Sequence, residues 1–192
     1  MAATSGAEPR APRLTPDLLT PDQRALYDEI CGGPRASADR PAGPVDAAGA
    51  LTGPFNAMLL SPPVGGPLQR LGAALRYESG LPDITRELVI LAVAAHHDSA
   101  YERAAHQRVA GRLGVDEDAF AAIEAGETPS AYPESGAALD LARALLRGDL
   151  PDDEAFAQAR ADLGVAAIFE LSTLVGYYST LAIQLALFDV RP

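Results

Sequence analysis

Two side chains four residues apart, Glu102 and His106, fall where a helix should present only apolar groups. On a helical wheel at about 100° per residue, they lie within the apolar stripe marked by Ala105, Val109, Ala110 and Leu113. Residues four apart on a helix are neighbours, and burying either polar group without a partner costs free energy. The spacing therefore predicts a buried polar site on this helix, with a pocket that compensates the cost.

The same stretch also contains Glu87 and the other two histidines of the chain, His96 and His97. An imidazole and two carboxylates can move a proton and stabilise an enolate next to a carbonyl without a cofactor. We assign His106 as the general acid or base. Glu102, one turn earlier, would orient and tune it. Glu87 would be the second acid or base, or the group that fixes His106.

Two other interpretations of the Glu102–His106 pair stay open. A buried Glu–His hydrogen bond could serve packing alone, because structural pairs also shift pKa values. With a further His or Glu the pair could ligate a metal, although His97 leaves its helix at a different angle and no dense ligand cluster is evident. We expect no metal and no cofactor. A buried cavity lined by Glu87, Glu102 and His106 is the structural test of the site.

Two helices are expected to position these groups. The first is predicted over residues 84–97, after a capping Asp83. Residues 88–95 are apolar all round, so this helix should be buried on every side. The second helix is predicted from residue 98 or 99 to residue 113, and Gly114 can adopt the left-handed conformation that ends it.

The rest of the chain also follows helical patterns, and no long segment alternates apolar and polar residues with period two. The predicted fold class is all-α. Thr20 and Gln23 are expected to form a capping box. We expect Leu68, Leu71 and Leu75 to form a core stripe. Ser135 is predicted to cap one further helix, and Phe156 is predicted to be the main anchor of another. The further predicted helices start near Thr20, Phe55, Val64, Glu117, Ser135, Pro151 and Ala166.

Residues 1–13 lack periodicity and are expected to be a disordered or extended arm. Residues 14–192 are expected to form a single helical domain. Residues 35–50 are rich in Pro, Ala, Gly and Asp, so they are predicted to be a long loop that is a lid or is disordered. The apolar segment 166–188 is interrupted by polar residues, and we interpret it as a helix buried in the chain or at a subunit interface, not as a membrane span.

Composition narrows the possible partners. The net charge is −11 at 192 residues, so nucleic acid or an anionic membrane surface is not expected to bind. Cys31 is the single cysteine, which excludes an intramolecular disulfide. The N-terminus shows no signal-peptide pattern, and a cytoplasmic location is expected.

The motifs Arg86-Glu87-Leu88-Val89-Ile90-Leu91, Ser99-Ala100-Tyr101-Glu102 and His106 resemble the carboxymuconolactone decarboxylase family, which includes the alkyl hydroperoxidase D-like proteins. Further similar segments are 14–16, 19–30, 53–58 and 176–178, so the resemblance covers nearly the whole chain. It implies an alkyl hydroperoxidase D-like helical fold with an N-terminal extension. It also implies a homo-oligomer, either a trimer or a hexamer built from trimers, with a dimer possible for the longer members.

The peroxidase branch of this family carries Glu, then Cys-x-x-Cys and His. On this chain the two cysteine positions are Ser99 and Glu102, so thiol redox chemistry at the site is not expected. The resemblance implies a decarboxylase that acts on a small cyclic or unsaturated carboxylate or lactone. A cofactor-free isomerase or cyclase that tailors a secondary metabolite uses the same groups. A peroxidase-like protein and a non-catalytic binding protein are the remaining alternatives. The candidate substrate-binding residues are Ser99, Tyr101, His97, Asn56, Phe55, Met58 and Tyr177.

Overall fold

The computed structural model describes residues 10–33 and 44–192. Over this part of the chain the structure is helical apart from an isolated bridge between Val45 and Leu51, and the all-α prediction is confirmed. The predictions for residues 1–9 and 34–43 lie outside the described residues. The α-helices are α1 (Pro21–Gly32), α2 (Pro54–Met58), α3 (Pro62–Tyr77), α4 (Asp83–His96), α5 (Ala100–Arg112), α6 (Glu117–Glu124), α7 (Gly136–Arg147), α8 (Asp153–Leu163) and α9 (Val165–Leu187).

Contacts within the chain separate the residues expected to form one domain into two compact units. The N-terminal unit contains the described residues up to Arg70, together with Gln184–Arg191. The central unit contains Leu71–Ile183 and the final residue. All the candidate acid and base groups belong to the central unit.

The N-terminal unit is built around a small apolar cluster. Leu26 and Ile30 of α1 are buried with Leu51 and Leu59. The predicted capping box is present: the Thr20 side chain accepts from the backbone of Gln23, whose side chain in turn accepts from the backbone of Thr20. The backbone N–H groups of Thr20 and Gln23 at the start of α1 therefore both have hydrogen-bond acceptors. These bonds fix the first turn of the helix that supplies Leu26 and Ile30 to the cluster.

Gly65, near the start of α3, faces the backbone carbonyl of Met58 so closely that an added Cβ would overlap it. We expect Gly65→Ala to lower the free energy of unfolding by about 1–3 kcal/mol, the usual cost of overpacking. Chemical denaturation measures this change. Gly111→Ala on α5 is the matched control, because an added Cβ meets open space there, and it should stabilise by roughly 0.5–1 kcal/mol. Equal effects of the two substitutions would contradict this account.

Helix α4 is the centre of the second unit and packs against α5, α6 and α7. Every residue from Thr85 to Ala94 is buried, which confirms the prediction of a helix covered on every side. Ser135 occupies the N-cap position of α7, but its side chain makes no capping bond. Its hydroxyl instead shares a buried 2.8 Å hydrogen bond with the Thr85 hydroxyl, which joins the starts of α4 and α7.

The connection between α4 and α5 is short and partly left-handed. The predicted capping role of Asp83 is wrong: Pro82 is the N-cap of α4, and Asp83 accepts a 2.7 Å hydrogen bond from Arg86 in its first turn. Three residues, 97–99, link the two helices, and the middle one, Asp98, has φ +48°. Gly114 has φ +92°, as expected for the residue that ends α5.

Two expected core residues of the central unit are exposed. Leu71 lies on the solvent side of α3, whereas Leu75 of the same predicted stripe is buried. Phe156 is exposed, and α8 has no buried residue, so its expected role as an anchor is wrong. Both predictions assumed that a neighbouring element would cover the apolar face, and apolar side chains alone do not ensure that cover.

Helix α9 is long and apolar enough by length and composition to cross a membrane, with a mean hydropathy of 1.3 over 18 residues. Only 39% of that window is buried. Its buried residues lie along one side of the helix: Leu171, Leu174, Val175, Tyr177, Tyr178, Leu181, Ala182 and Leu185. The helix is thus buried along one side. The sequence predicted a helix buried in the chain or at a subunit interface.

Candidate active site

Helices α4 and α5 bring Glu87 and His106 together in the interior of the central unit. Glu87 is completely buried and His106 is 6% exposed. The Nδ1 atom of His106 lies 2.6 Å from Oε2 of Glu87. A carboxylate is only an acceptor, so Nδ1–H donates to it. This bond fixes the ring orientation and leaves Nε2, which hydrogen-bonds to no described residue, as the nitrogen that can exchange a proton with a ligand.

Glu102 takes no part in that hydrogen bond. Its side chain is only 3% exposed, and neither carboxyl oxygen has a hydrogen-bond partner among the described residues. Burial raises the pKa of Glu102 to about 8, because an ionised carboxylate is poorly solvated there. At neutral pH the group is therefore mostly a carboxylic acid that can donate a hydrogen bond.

These contacts change the expected division of roles. Glu102 was expected to orient His106 because the two are one helical turn apart. Glu87 makes the orienting bond instead, since the imidazole turns its Nδ1 away from its own helix and towards α4. The alternative role given to Glu87, as the group that fixes His106, agrees with this geometry.

Arg86 is a buried cation beside the pair that the sequence analysis did not include in the site. Its side chain is 8% exposed, and its Nε lies 3.9 Å from Oε1 of Glu87. Neither of these two atoms has a hydrogen-bond partner among the described residues. The guanidinium group of Arg86 thus lies beside the carboxyl group that receives the His106 hydrogen bond. The position of Arg86 next to the apolar run of residues 88–95 could have indicated that this charged side chain is buried.

Tyr178 of α9 forms one wall of the site. Its ring is edge-on to His106, with centroids 5.1 Å apart and planes at 88°. Burial raises the pKa of the Tyr178 phenol, and the nearby Tyr177, Glu87 and Glu102 add to the effect. The phenol therefore stays protonated at neutral pH.

Tyr177, not Tyr178, was named from the sequence as a substrate-binding residue. Tyr177 is also buried and packs edge-on against Tyr178, with centroids 5.1 Å apart. Tyr178 continues the spacing of Leu171, Leu174 and Leu181, which marks the buried face of α9. Both tyrosines are buried, so burial alone does not separate them, and the ring contact with His106 distinguishes Tyr178.

The other candidates on α4 and α5 lie near the connection between the helices. Ser99 is buried at the N-cap of α5, and Tyr101 is half-buried. The ring of His97 is edge-on to His96, with centroids 4.9 Å apart. Burial lowers the pKa of His97, and the neighbouring His96 lowers it further. Binding of a substrate by these three residues remains a prediction.

Phe55, Asn56 and Met58 belong to the N-terminal unit and take part in its packing. Phe55 packs against the apolar cluster, and Met58 is buried. Asn56 accepts a 3.1 Å hydrogen bond from the backbone of Leu14 and donates a 2.8 Å bond to the carbonyl of Pro12. These contacts account for the polar side chain of Asn56, and the expected role of the three residues in binding stays a prediction.

A metal at this site would need more ligands than the pair provides. In residues 10–33 and 44–192, no group of three or more His, Cys, Asp or Glu side chains has the arrangement of a metal site. Cys31, the single cysteine, packs against the N-terminal apolar cluster.

A cleft of about 330 Å³ opens in the central unit where α4, α6 and α7 end. Ala92, Ala95, Ile123 and Leu146 are among the residues that line it, and it does not include Glu87, Glu102 or His106. It is therefore not the cavity expected around the acid and base groups. These three groups are at most 6% exposed, so they are largely enclosed by the surrounding side chains.

The described residues form an all-α fold, and its candidate site is the buried pair of Glu87 on α4 and His106 on α5. Residues 62–144 match the model of the carboxymuconolactone decarboxylase family. This segment runs from α3 into α7 and contains Glu87, Glu102 and His106. The central part of the chain is therefore similar to that family. Comparison with curated proteins gave no match.

Proposed function

We propose that the protein is a cofactor-free acid/base enzyme, a decarboxylase of a small cyclic or unsaturated carboxylate or lactone. The buried 2.6 Å contact between His106 Nδ1 and Glu87 Oε2 is the observation that carries the proposal. Such a bond sets the tautomer and direction of an imidazole, which a positioned general acid or base requires. The family match supports the reaction class at a coarser level.

In the proposed reaction, the bond between the substrate carbon and its carboxylate breaks and releases carbon dioxide. The electron pair moves into a conjugated carbonyl, which becomes an enolate. Neutral Glu102 donates a hydrogen bond to that oxygen. His106, protonated on both nitrogens and stabilised by Glu87, gives its Nε2 proton to the carbon. One proton from solvent then restores His106, so one carboxylate is replaced by one hydrogen.

A cofactor-free isomerase or cyclase acting on a secondary metabolite is the second candidate. It is favoured by the pairing of an unbonded Nε2 on His106 with a neutral acid at Glu102. In that case Nε2 takes a proton from one carbon, and the proton returns to another position of the enolised substrate.

The test is to incubate the purified protein with a panel of unsaturated lactone carboxylates and measure carbon dioxide and product mass. Decarboxylation is expected to give one carbon dioxide for each product molecule. A product of unchanged mass would assign the isomerase instead. His106→Gln is the matched inactive control. If a compound of the panel binds but is not converted, and no other compound is converted either, both candidates would be overturned in favour of a binding protein.

The peroxidase alternative is disfavoured because serine and glutamate stand at the two thiol positions, Ser99 and Glu102. We expect no consumption of peroxide with a dithiol donor. Cys31→Ser should retain the full decarboxylase rate, since the only thiol lies in the other unit. Peroxide turnover that Cys31→Ser abolishes would reverse this assignment.

A further inference from the structure

The cleft where α4, α6 and α7 end has an apolar inner part. Its apolar lining residues come from all three helices of the central unit: Ala92, Ala95, Ile123 and Leu146. Ala92 is 6% exposed and Ile123 is 3% exposed, so these two lie deep in the structure. The volume of about 330 Å³ falls at the lower end of the range for small-molecule sites, roughly 300–1,000 Å³. The cleft is therefore large enough for a small ligand with an apolar body.

Two arginines of α7 line the same cleft. Arg143 and Arg147 are four residues apart, so they are neighbours on one face of the helix. Like charges at this spacing destabilise a helix, and an anion between them offsets their repulsion. The chain has 26 acidic and 15 basic residues, so two guanidinium groups at one apolar cleft run against its overall charge. This placement favours an anionic ligand.

Arg143 is held in place by the segment that follows α6. Its Nη2 donates a 2.6 Å hydrogen bond to the carbonyl of Glu127, and its Nη1 donates a 3.3 Å bond to the Thr128 hydroxyl. The side chain is only 16% exposed. Its Nε–H makes no hydrogen bond to a described residue. A guanidinium fixed in this way has already lost much of its conformational entropy, which lowers the cost of binding a ligand.

The aspartates beside the two arginines are weak competitors for a ligand. Asp140, 78% exposed, lies 3.4 Å from Nη1 of Arg143. Asp149 lies 2.9 Å from Nε of Arg147, and both of these side chains are more than half exposed. Ion pairs between exposed groups contribute only about 0–1 kcal/mol. A ligand carboxylate that also packs on the apolar part of the cleft can therefore displace them.

The other negative groups at the cleft already have partners. Glu124 lines the cleft, but its Oε1 lies 2.6 Å from Nε of Arg103 on α5. Helix C-termini carry partial negative charge, and three helices end here. The carbonyl groups of Val93, Ile123 and Leu145 in their last turns accept backbone hydrogen bonds. The two α7 guanidinium groups are thus the charges that a ligand has to complement.

We propose that this cleft binds a small carboxylate with an apolar body, at a site separate from the Glu87–His106 pair. The apolar body packs on the inner residues, and the carboxylate accepts hydrogen bonds from Arg143 and Arg147. All 15 basic side chains of this protein are arginines. A guanidinium can hold a carboxylate through two parallel hydrogen bonds, which makes a carboxylate the anion of choice.

The cleft shares a helix with the acid and base groups. Ala92 follows Glu87 by five residues on α4, which is about 7.5 Å along the helix axis. A ligand in the cleft therefore contacts the helix whose Glu87 orients His106. The proposal concerns binding alone, so it can be tested whatever reaction the buried pair performs.

The first experiment titrates the protein with benzoate, a small cyclic carboxylate, by calorimetry. Binding is expected with a Kd of about 1 mM or tighter, and it should weaken as salt is added. Benzyl alcohol has the ring without the charge, and acetate has the charge without the ring. Each should bind at least about tenfold more weakly. Equal binding of benzoate and benzyl alcohol, or no benzoate binding up to about 10 mM, would overturn the proposal.

Variants of the cleft test which groups hold benzoate. Arg147→Gln changes an exposed side chain, so it should fold normally and weaken benzoate about 3- to 10-fold. Arg160→Gln, which also removes an arginine from the last turn of a helix, is the matched control and should bind like the wild type. Ala95→Leu should fill the cleft and abolish binding at an unchanged melting temperature. Wild-type affinity in both cleft variants would contradict the proposal.

Methyl NMR spectra locate the bound benzoate. It should shift the methyl signals of Ile123 and Leu146, and His106→Gln should bind it as tightly as the wild type. If benzoate instead shifted the signals of His106 and Tyr178 alone, and His106→Gln no longer bound it, the ligand would lie in the acid/base site. That result would overturn a separate carboxylate site.

Discussion

Replacing His106 by alanine is expected to lower turnover by roughly 10² to 10⁴, the usual worth of a positioned general acid or base. The orientation of the His106 ring is fixed by a short hydrogen bond, with its Nδ1 2.6 Å from Oε2 of Glu87. The substitution removes the proton donor and leaves the Glu87 carboxylate buried without its partner. A loss of stability should therefore accompany the loss of rate.

Two further variants separate these effects. His106→Gln keeps a donor of similar size for Glu87, so it should melt close to the wild type and still lose turnover. His96→Ala, at the exposed end of α4, is the matched histidine control and should keep both. If His106→Gln retained the full rate, the Glu87–His106 bond would be structural only. Initial rates and melting temperatures measured on the same preparations decide between the two.

The wild-type protein is expected to become less stable as the pH rises from about 5 to 8, because Glu102 folds as a neutral acid. Its pKa is raised by burial from 4.5 to about 8. Between these values unfolding releases a proton, so the free energy of unfolding falls by up to about 1.4 kcal/mol per pH unit. The decline should stop above the folded pKa, where both states are ionised.

Glu102→Gln removes this titration, so its free energy of unfolding should exceed that of the wild type increasingly from pH 5 to pH 8. Denaturation with urea at fixed pH values measures the difference. Glu154→Gln, an exposed carboxyl on α8, is the control and should run parallel to the wild type. Parallel curves for Glu102→Gln and the wild type would contradict a buried neutral carboxyl. The turnover of the wild type should also fall near pH 8, where Glu102 ionises. The turnover of Glu102→Gln should not show this decrease.

Much of the fold could be predicted because its signals are local. The capping box at Thr20, the apolar run in α4 and the glycine that ends α5 depend on residues within one or two turns. Phe156 and Leu71 were predicted wrongly for the opposite reason. Their burial depends on whether another element covers them, and helical periodicity only identifies which face is apolar.

The sequence predicted which residues belong to the site better than it predicted the hydrogen bonds between them. Glu102 and His106 fall on the inward face of one helix by spacing alone, and both are buried. Which carboxyl meets His106 depends on the angle between α4 and α5, and that angle is set by packing. Arg86 and Tyr178 enter the site through the same tertiary geometry, so helical spacing within α5 could not identify them.

The left-handed residue between α4 and α5 has a consequence for recognising similar proteins in genomes. Glu87 and His106 are 19 residues apart, and the three-residue connection around Asp98 has little room for an insertion that preserves their contact. Asp, Asn and Gly adopt positive φ more readily than other residues. A pattern of Glu, then one of these three residues eleven positions later, then His eight positions beyond, should therefore retrieve thiol-free relatives that a search for paired cysteines misses.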